Sequence, residues 1–562
     1  MSQYVTPVKP EQVDGTDPSD FNSARRLVEQ AQVGPDRVFA IFPDTVLTYG
    51  QLHERARTMA KGLLRLGVKR GDFVATLMPN CSDWVVAYFA GLMAGAGVAA
   101  INARYKRHEL KYAIGKCDAK VLLTTDHIAG HVDFVELLGD CLPGLSQQAD
   151  PTSLKLADAP DLRALVLMGH QQAENFLSEG EIAALGQAAT DEDVDWAIAS
   201  VMPDDTAAII FTSGTTSMPK ACELTHKGLL SSWLVFANTV GLAEGETVWM
   251  PMPFFHTGGV GPMTAILDRG AAFMTQPHYN AEQVVDLVRR HRIEHLYPGF
   301  PQLSLDVVDH PDFTSGGFDF VRSILNVGPA PMQRHIQGRM PEGALLHNLF
   351  GMTEGSGIVT FTLPDMPFER RAVSSGYPRP PTEVRVADPD TNIPVEQGQT
   401  GEIQFRGPSA FKAYYKDQAA TQASKLADGW VKTGDRGQIE TDGSLTFLGR
   451  IKDMMKVGGE NVAAAEVEAF VQALEGVKMV QVIGGYDERL GEVPVAFVET
   501  AAGASLTEDD IILACDGQLS KWKIPRAVVF MTEWPMSATK VQKYKLRDHL
   551  PERFRQTEGA KA

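Results

Sequence analysis

Segments of helical and strand period alternate through the first half of the chain, and this alternation limits the fold more than any other feature. Tyr49 to Leu66 (YGQLHERARTMAKGLLRL) carries apolar residues at helical spacing, which places one stripe of a helix against a core. Asp72 to Met78 (DFVATLM) follows as a compact strand, and Lys120 to Thr124 (KVLLT) as another. Ala207 to Ser213, the segment TVWMPMP, a helix over Ala281 to Arg290 and a strand near His295 to Tyr297 continue the series. The pattern predicts an α/β fold with a large N-terminal domain of mixed sheets covered by helices. After about Thr382 the texture changes to short strands and Gly/Asp turns (EVRVAD, GEIQFRG, WVKTGD, DGSLTFLGR), as in a small β-rich subdomain. Beyond Gly449 come a helix at Ala464 to Leu474, strands at Val477 to Gly484 and Val493 to Glu499, and a helix near Glu508 to Gln518. These predict a small α+β C-terminal domain. The expected division is a polar N-terminal extension (1–25), an N-terminal domain (26–450, with the β-rich subdomain at about 382–450) and a C-terminal domain (451–562).

The uncharged run Trp84 to Ile101 (WVVAYFAGLMAGAGVAAI) is long enough to suggest a membrane span. Gly95, Ala96 and Gly97 divide it into a helix and the short strand VAAIN, the pattern of a buried α/β layer, so no stable membrane insertion is expected. The polar stretch Gly144 to Pro160 reads as a surface loop. With 70 acidic and 52 basic residues the net charge is −18. Such a surface repels nucleic-acid phosphates and anionic lipid, so neither is an expected partner. An anionic nucleotide then needs a local nest of amides and cations. The five cysteines, Cys81, Cys117, Cys141, Cys222 and Cys515, form no CxxC pair. They support neither a disulfide framework nor a zinc site, and fit a reducing cytoplasm. The N-terminus has no basic segment followed by an apolar one, so no signal peptide is read there.

The apolar strand Ala207 to Ser213 runs into TSGTTSMPKA, Thr212 to Ala221. Thr212, Ser213, Thr215 and Thr216 offer hydroxyls, Gly214 lets the backbone turn its amides toward one anion, and Lys220 adds charge. This is phosphate-binding chemistry, yet it lacks the GK[ST] ending of the nucleotide P-loop. Taken alone, it is equally an ordinary Ser/Thr loop. Further strings follow in order: PFFHTGG (Pro253 to Gly259), NVGPAPM (Asn326 to Met332), NLFGMTEGSG (Asn348 to Gly357), KTGD (Lys432 to Asp435), GRIKDMMKVGGENV (Gly449 to Val462) and PMSATKVQKYKLR (Pro535 to Arg547). A carboxylate such as Asp435 suits two vicinal hydroxyls. A single carboxylate such as Glu354 suits Mg²⁺ completed by phosphate oxygens.

Together these strings resemble the adenylate-forming superfamily of acyl-CoA synthetases, peptide-synthetase adenylation domains and luciferases, over about Pro35 to Leu550. The resemblance implies an AMP-forming acyl-CoA ligase that uses ATP, Mg²⁺ and coenzyme A, with a small C-terminal domain that is mobile. It maps the Thr212–Ala221 loop to the phosphates, Gly328, Pro329 and Ala330 to a strand-loop against adenine, and Asn348, Phe350, Gly351 and Met352 to the adenine face. Thr353 maps to the α-phosphate contact and Glu354 to the metal ligand. Asp435 maps to the ribose, Arg450 to ribose or phosphate, and Lys452 to the hinge. Gly458, Gly459 and Glu460 map to the loop that approaches CoA, and His256, Val260, Gly355 and Ile358 to the acyl pocket. Lys540 maps to the lysine that reaches the carboxylate and α-phosphate, with Lys543 as the fallback.

The chain departs from the family pattern in three places. Ser217 and Ala221 stand where glycine is usual, and Thr539 precedes Lys540 where glycine is usual, in a spacing one residue shorter. Expected partners are a small-molecule carboxylic acid, ATP and CoA, for a monomer or homodimer. No Lys or Arg stands among the pocket candidates, so an uncharged apolar acid is expected: fatty, aromatic or polycyclic. Small residues at Gly355 and Gly357 suggest room for bulk. The alternatives are an adenylating enzyme with a carrier-protein or amine acceptor, and a nucleotide-binding pseudoenzyme.

Overall fold

The computed structural model describes residues 16–128, 130–212, 218–458, 460–536 and 541–555. Two seven-stranded sheets form its larger part. The first runs, edge to edge, Leu177–Ser178, Ala164–Met168, Ala119–Thr125, Phe73–Leu77, Gly97–Ala100, Thr206–Thr212 and Lys220–Thr225. The second runs Leu345–His347, Ser323–Asn326, His295–Gly299, Thr247–Trp249, Ala272–Met274, Val38–Ile41 and Val46–Thr48. Each sheet is parallel except for one antiparallel edge strand. Parallel strands need helical crossovers, which is why helical and strand periods alternate along the sequence.

The membrane-like run becomes the helix Ser82–Met93 and the strand Gly97–Ala100. All twelve residues of that helix are buried. Its faces meet both sheets: a Cβ on Gly91 would lie 2.9 Å from Val98 of the first, and Phe89 lies edge-on to Phe39 of the second at 5.9 Å. Burial from two sides explains the missing polar face. Among the described residues no helix is long and apolar enough to cross a membrane. All five cysteines are buried free thiols.

Asn80, just beyond the strand Phe73–Leu77, ties the two sheets together. Its amide donates to the Met252 carbonyl (3.0 Å) and to Thr275 Oγ1 (2.9 Å), and its Oδ1 accepts from the Phe254 backbone N–H (2.9 Å). A fully satisfied buried amide of this kind fixes a single register. It sets the path of the loop that carries His256.

Antiparallel elements follow. Leu349–Met352, Gly357–Phe361 and Tyr377–Pro378 form a three-stranded sheet, and Glu383–Ala387, Thr400–Arg406, Val431–Ile439 and Leu445–Arg450 a four-stranded one. The last sheet contains Glu460–Ala463, Met454–Val457, Gly491–Thr500, Val477–Asp487 and Ala527–Phe530, with its own core. Two expectations are corrected here. KTGD is not a turn but lies inside the strand Val431–Ile439, where Gly434 takes φ +69° and the register slips nearby. The expected polar extension also ends earlier than residue 25. Phe21 is buried against Leu230 and Leu234, and the helix Ser23–Val33 begins two residues later.

That helix start is pinned by His226, which is buried. Its Nδ1 accepts from the Ser23 backbone N–H at 3.3 Å and lies 3.0 Å from Ser23 Oγ. Burial pushes the His226 pKa down to about 4 and does the same to His347. Both folded values lie below the unfolded value of about 6.5, so the stabilisation is complete above that pH and is lost as pH falls toward 4. Each histidine should contribute on the order of 3 kcal/mol at neutral pH. Denaturant midpoints should therefore drop already between about pH 6.5 and 5, above the carboxylate range. His226→Gln should flatten that slope; an unchanged slope would contradict the assignment.

Candidate active site

Beyond the phosphate-loop motif the chain returns as a strand. Thr212 ends one strand, Lys220 begins the antiparallel Lys220–Thr225, and the two are cross-strand partners. Ser213 to Ser217 lie outside the described residues. Lys220 is thus held on a sheet edge, with Ala221 buried beside it.

The segment 411–415 runs alongside this strand. The Glu223 N–H donates to the Ala413 carbonyl (2.9 Å), the Lys412 N–H to the Glu223 carbonyl (2.9 Å) and the Tyr415 N–H to the Ala221 carbonyl (2.7 Å). These bonds fix Tyr414, whose ring lies 4.7 Å below Lys220 Nζ. The Tyr414 hydroxyl donates to Glu354 Oε1 at 2.6 Å. Burial and the Glu354 carboxylate push the Tyr414 phenol upward, so it stays protonated and keeps donating. Glu354 is itself buried, and its carbonyl accepts from the Phe411 N–H at 2.7 Å. The two charged residues expected at the phosphates therefore meet on one tyrosine that no sequence motif singled out.

Glu354 sits in the short 3-10 turn Thr353–Gly355, between the antiparallel strands Leu349–Met352 and Gly357–Phe361. Thr353 beside it is half-buried. A Cβ on Gly351 would lie 1.9 Å from the Gly357 carbonyl oxygen, so only glycine fits there. Asn348 is not open to a ligand: its amide donates to the Ser374 carbonyl (3.0 Å) and its Oδ1 accepts from the Leu349 N–H (2.9 Å). Phe350 is also mostly covered. It is 6% exposed and stacks on Phe447 at 6.0 Å, whereas Phe447 is 41% exposed. Phe447 therefore presents the open aromatic face, which the sequence reading missed. Met352 remains half-buried.

Gly328, Pro329 and Ala330 lie half-buried between the strand Ser323–Asn326 and the helix Ala330–Arg339. Buried amides brace this loop. Ser304 Oγ donates to Asn326 Oδ1 (2.6 Å), Asn326 Nδ2 to Gln333 Oε1 (2.7 Å) and Gln333 Nε2 to the Asn326 carbonyl (2.8 Å). Thr212 and Asn326 end parallel strands at their carboxyl ends, the usual ligand edge of open α/β sheets.

Asp435 and Arg450 face each other across adjacent strands, with Arg450 Nε 3.3 Å from Asp435 Oδ1. Lys452 follows in the 3-10 turn Ile451–Asp453, which links this sheet to the C-terminal one. Burial, then the Arg450 charge, lower the Lys452 pKa. Gly458 takes φ +59° at the tip of the hairpin joining Met454–Val457 to Glu460–Ala463. Glu460 is exposed and Gly459 lies outside the described residues. Lys540 and Thr539 also lie outside them. Lys543 is already engaged: its Nζ pairs with Glu468 Oε1 at 2.5 Å and lies 3.4 Å from the Val482 carbonyl.

His256 precedes the helix Thr257–Arg269, while Val260 and Ile358 are buried. The expectation that Gly355 and Gly357 leave room for bulk is overturned. A Cβ on Gly355 would meet Val359 at 2.6 Å, and one on Gly357 would meet the Trp233 indole at 2.5 Å. Neighbouring side chains occupy both spaces.

Comparison with known proteins bears on this arrangement. A family model described as AMP-binding enzyme matches residues 27–415, and one described as AMP-binding enzyme C-terminal domain matches 466–540. YngI of Bacillus subtilis, named as an acyl-CoA synthetase, is 33% identical over 537 residues, covering 94% of this chain and 97% of its own. The mitochondrial medium-chain acyl-CoA ligase ACSF2 of Mus musculus is 29% identical, covering 93% and 87%. The ATP-bound crystal structure of MatB from Rhodopseudomonas palustris superposes with a TM-score of 0.78 at 25% identity, covering 94% and 98%. The chain belongs to the AMP-binding enzyme family, in the adenylate-forming superfamily, as an AMP-forming acyl-CoA ligase.

Proposed function

We propose that the chain joins an uncharged, mainly apolar carboxylic acid (fatty, aromatic or polycyclic) to CoA through an acyl-adenylate, at the site built around Tyr414. The observation that carries this reading is the meeting of Lys220 and Glu354 on that tyrosine. A phosphate-binding cation and a metal-binding carboxylate are thereby held at one place. In the first step a carboxylate oxygen attacks the α-phosphorus of ATP and pyrophosphate leaves. This chemistry needs in-line positioning and offset of spreading negative charge. Lys220 serves the leaving pyrophosphate and Thr353 the α-phosphate, while Lys540 spans carboxylate and α-phosphate. Asp435 holds the ribose hydroxyls with Arg450 beside it. The half-buried Gly328–Ala330 loop and the aromatic pair Phe350 and Phe447 border the base.

Glu354 fits Mg²⁺: Tyr414 holds its Oε1, and one carboxylate plus phosphate oxygens is a usual Mg²⁺ set. Bound there, Mg²⁺ would neutralise charge on the phosphates. In the second step the CoA thiol sulfur attacks the acyl carbon and AMP leaves. Lys452 is the hinge about which the C-terminal domain turns, and Gly458, Gly459 and Glu460 then border the pantetheine.

The medium-chain activity in the name of the mouse relative supports an alkyl acid. Pyrophosphate release over a panel of straight-chain and aryl acids tests the proposal. Release should require an acid, rise with CoA and end in a thioester. ATP binding without release on any acid would instead support a nucleotide-binding pseudoenzyme. Release that ignores CoA but yields an amide or a loaded carrier protein would assign another acceptor.

A further inference from the structure

We infer that Trp233 closes the acyl pocket at its depth and restricts this enzyme to compact acids: short or medium alkyl chains, or a single aryl ring. The inference rests on the acyl-ligase reading above and on His256, Val260 and Ile358 bordering the acid.

Trp233 comes from the helix His226–Val240, which no motif connected with the substrate. Its indole Nε1 donates to the Ser356 carbonyl at 2.9 Å, so the ring orientation is set by the same turn that carries Glu354. The indole packs against two glycines, one on each wall. A Cβ on Gly261 would be 1.9 Å from Nε1, and one on Gly357 would be 2.5 Å from it. Gly261 belongs to the helix that starts after His256 and is adjacent to Val260, and Gly357 is adjacent to Ile358. The wall residues expected to line the acid thus converge on one tryptophan.

Behind the indole, aromatic rings fill the core. Tyr297 packs edge-on at 5.4 Å and Phe236 at 6.3 Å, both buried. Gly357, which abuts it, stays half-exposed, whereas the indole is 1% exposed. The inferred acid pocket ends at this ring. The two glycines do not widen the pocket for the acid; they admit the tryptophan that shortens it. An apolar wall without a cation selects by length, because each methylene beyond the stop has no volume to enter.

Pyrophosphate release with CoA, measured from butyrate to palmitate and with benzoate, tests this on wild type, Trp233→Ala and Trp233→Phe. In wild type kcat/KM should rise with chain length and then break, falling about ten-fold or more per added methylene. Trp233→Ala should move the break to longer acids and raise the palmitate-to-butyrate ratio by at least about ten-fold. Trp233→Phe keeps an aromatic ring in the core but shortens it, so it should move the break less and in the same direction. It decides the question if a thermal melt shows the alanine variant unfolded. A role limited to packing would lower all acids together and leave the break in place, which overturns the inference. Wild type that handles palmitate as well as shorter acids also overturns it. No release by wild type on any acid would sink the ligase reading and this inference with it, whereas an unshifted break sinks only this one.

Discussion

Lys540→Ala should abolish adenylate formation, with a loss of at least about 10²–10³-fold in acid-dependent pyrophosphate release. It should leave thioester formation from a supplied acyl-adenylate and CoA nearly intact. The first step gathers negative charge between the attacking carboxylate and the α-phosphate, and a positioned ammonium acts there. In the second step the attacking thiol and the leaving AMP need no such bridge. The fallback lysine, Lys543, already has a partner. Lys543 Nζ is paired with Glu468 inside the C-terminal core region and lies close to the Val482 carbonyl. Lys543→Ala should therefore lower the melting temperature modestly while sparing adenylation. On either side of the Lys540 segment Met536 and Val541 form an antiparallel bridge, and the Gln542 N–H donates to the Pro535 carbonyl at 2.7 Å. Separate assays of the two half-reactions check the prediction. Equal loss of both would contradict the role given to Lys540, as would full adenylation by the alanine variant.

The architecture was legible wherever one chain segment carries its own evidence. Helical and strand periods gave the alternating layers, and Gly95 to Gly97 correctly split the membrane-like run. What stayed hidden depends on partners far away in sequence. KTGD looks like a turn because Gly and Asp favour turns. It lies in a strand because the antiparallel neighbours on both sides absorb the irregularity as register shifts. Gly355 and Gly357 looked like space. A glycine announces a missing side chain but not what fills the gap, and here Val359 and Trp233 fill it. Asn348 fits the adenine motif, yet its side chain is already bonded to the Ser374 carbonyl. Tyr414 is the largest omission. It stands 60 positions from Glu354, in a segment with no motif of its own, and acquires its place only when residues 411–415 pair beside the strand Lys220–Thr225.

Glu354→Gln should lower kcat for adenylation by about 10²–10³-fold, because it removes the carboxylate proposed to hold Mg²⁺ while keeping shape and burial. The glutamine still accepts the Tyr414 hydroxyl bond through its oxygen, so the melting temperature should change little. Calorimetry supplies a reading independent of turnover. Wild type should bind ATP more tightly with Mg²⁺ than without it, and Glu354→Gln should lose most of that difference. Tyr414→Phe isolates the other partner. It deletes one hydrogen bond to a buried charged group, worth about 1.5–3 kcal/mol. It keeps the ring under Lys220. The carboxylate then loses its fixed orientation but not its charge, so kcat should fall about ten- to a hundred-fold with the Mg²⁺ dependence of ATP binding partly retained. The two residues touch at 2.6 Å, so their effects should not add. In the double variant Tyr414→Phe should cost far less than it does in wild type, because there is no longer a charge to orient. Additive losses would mean that Tyr414 acts through Lys220 or through packing and not through Glu354. An unchanged Mg²⁺ dependence in Glu354→Gln would take the metal away from this carboxylate altogether.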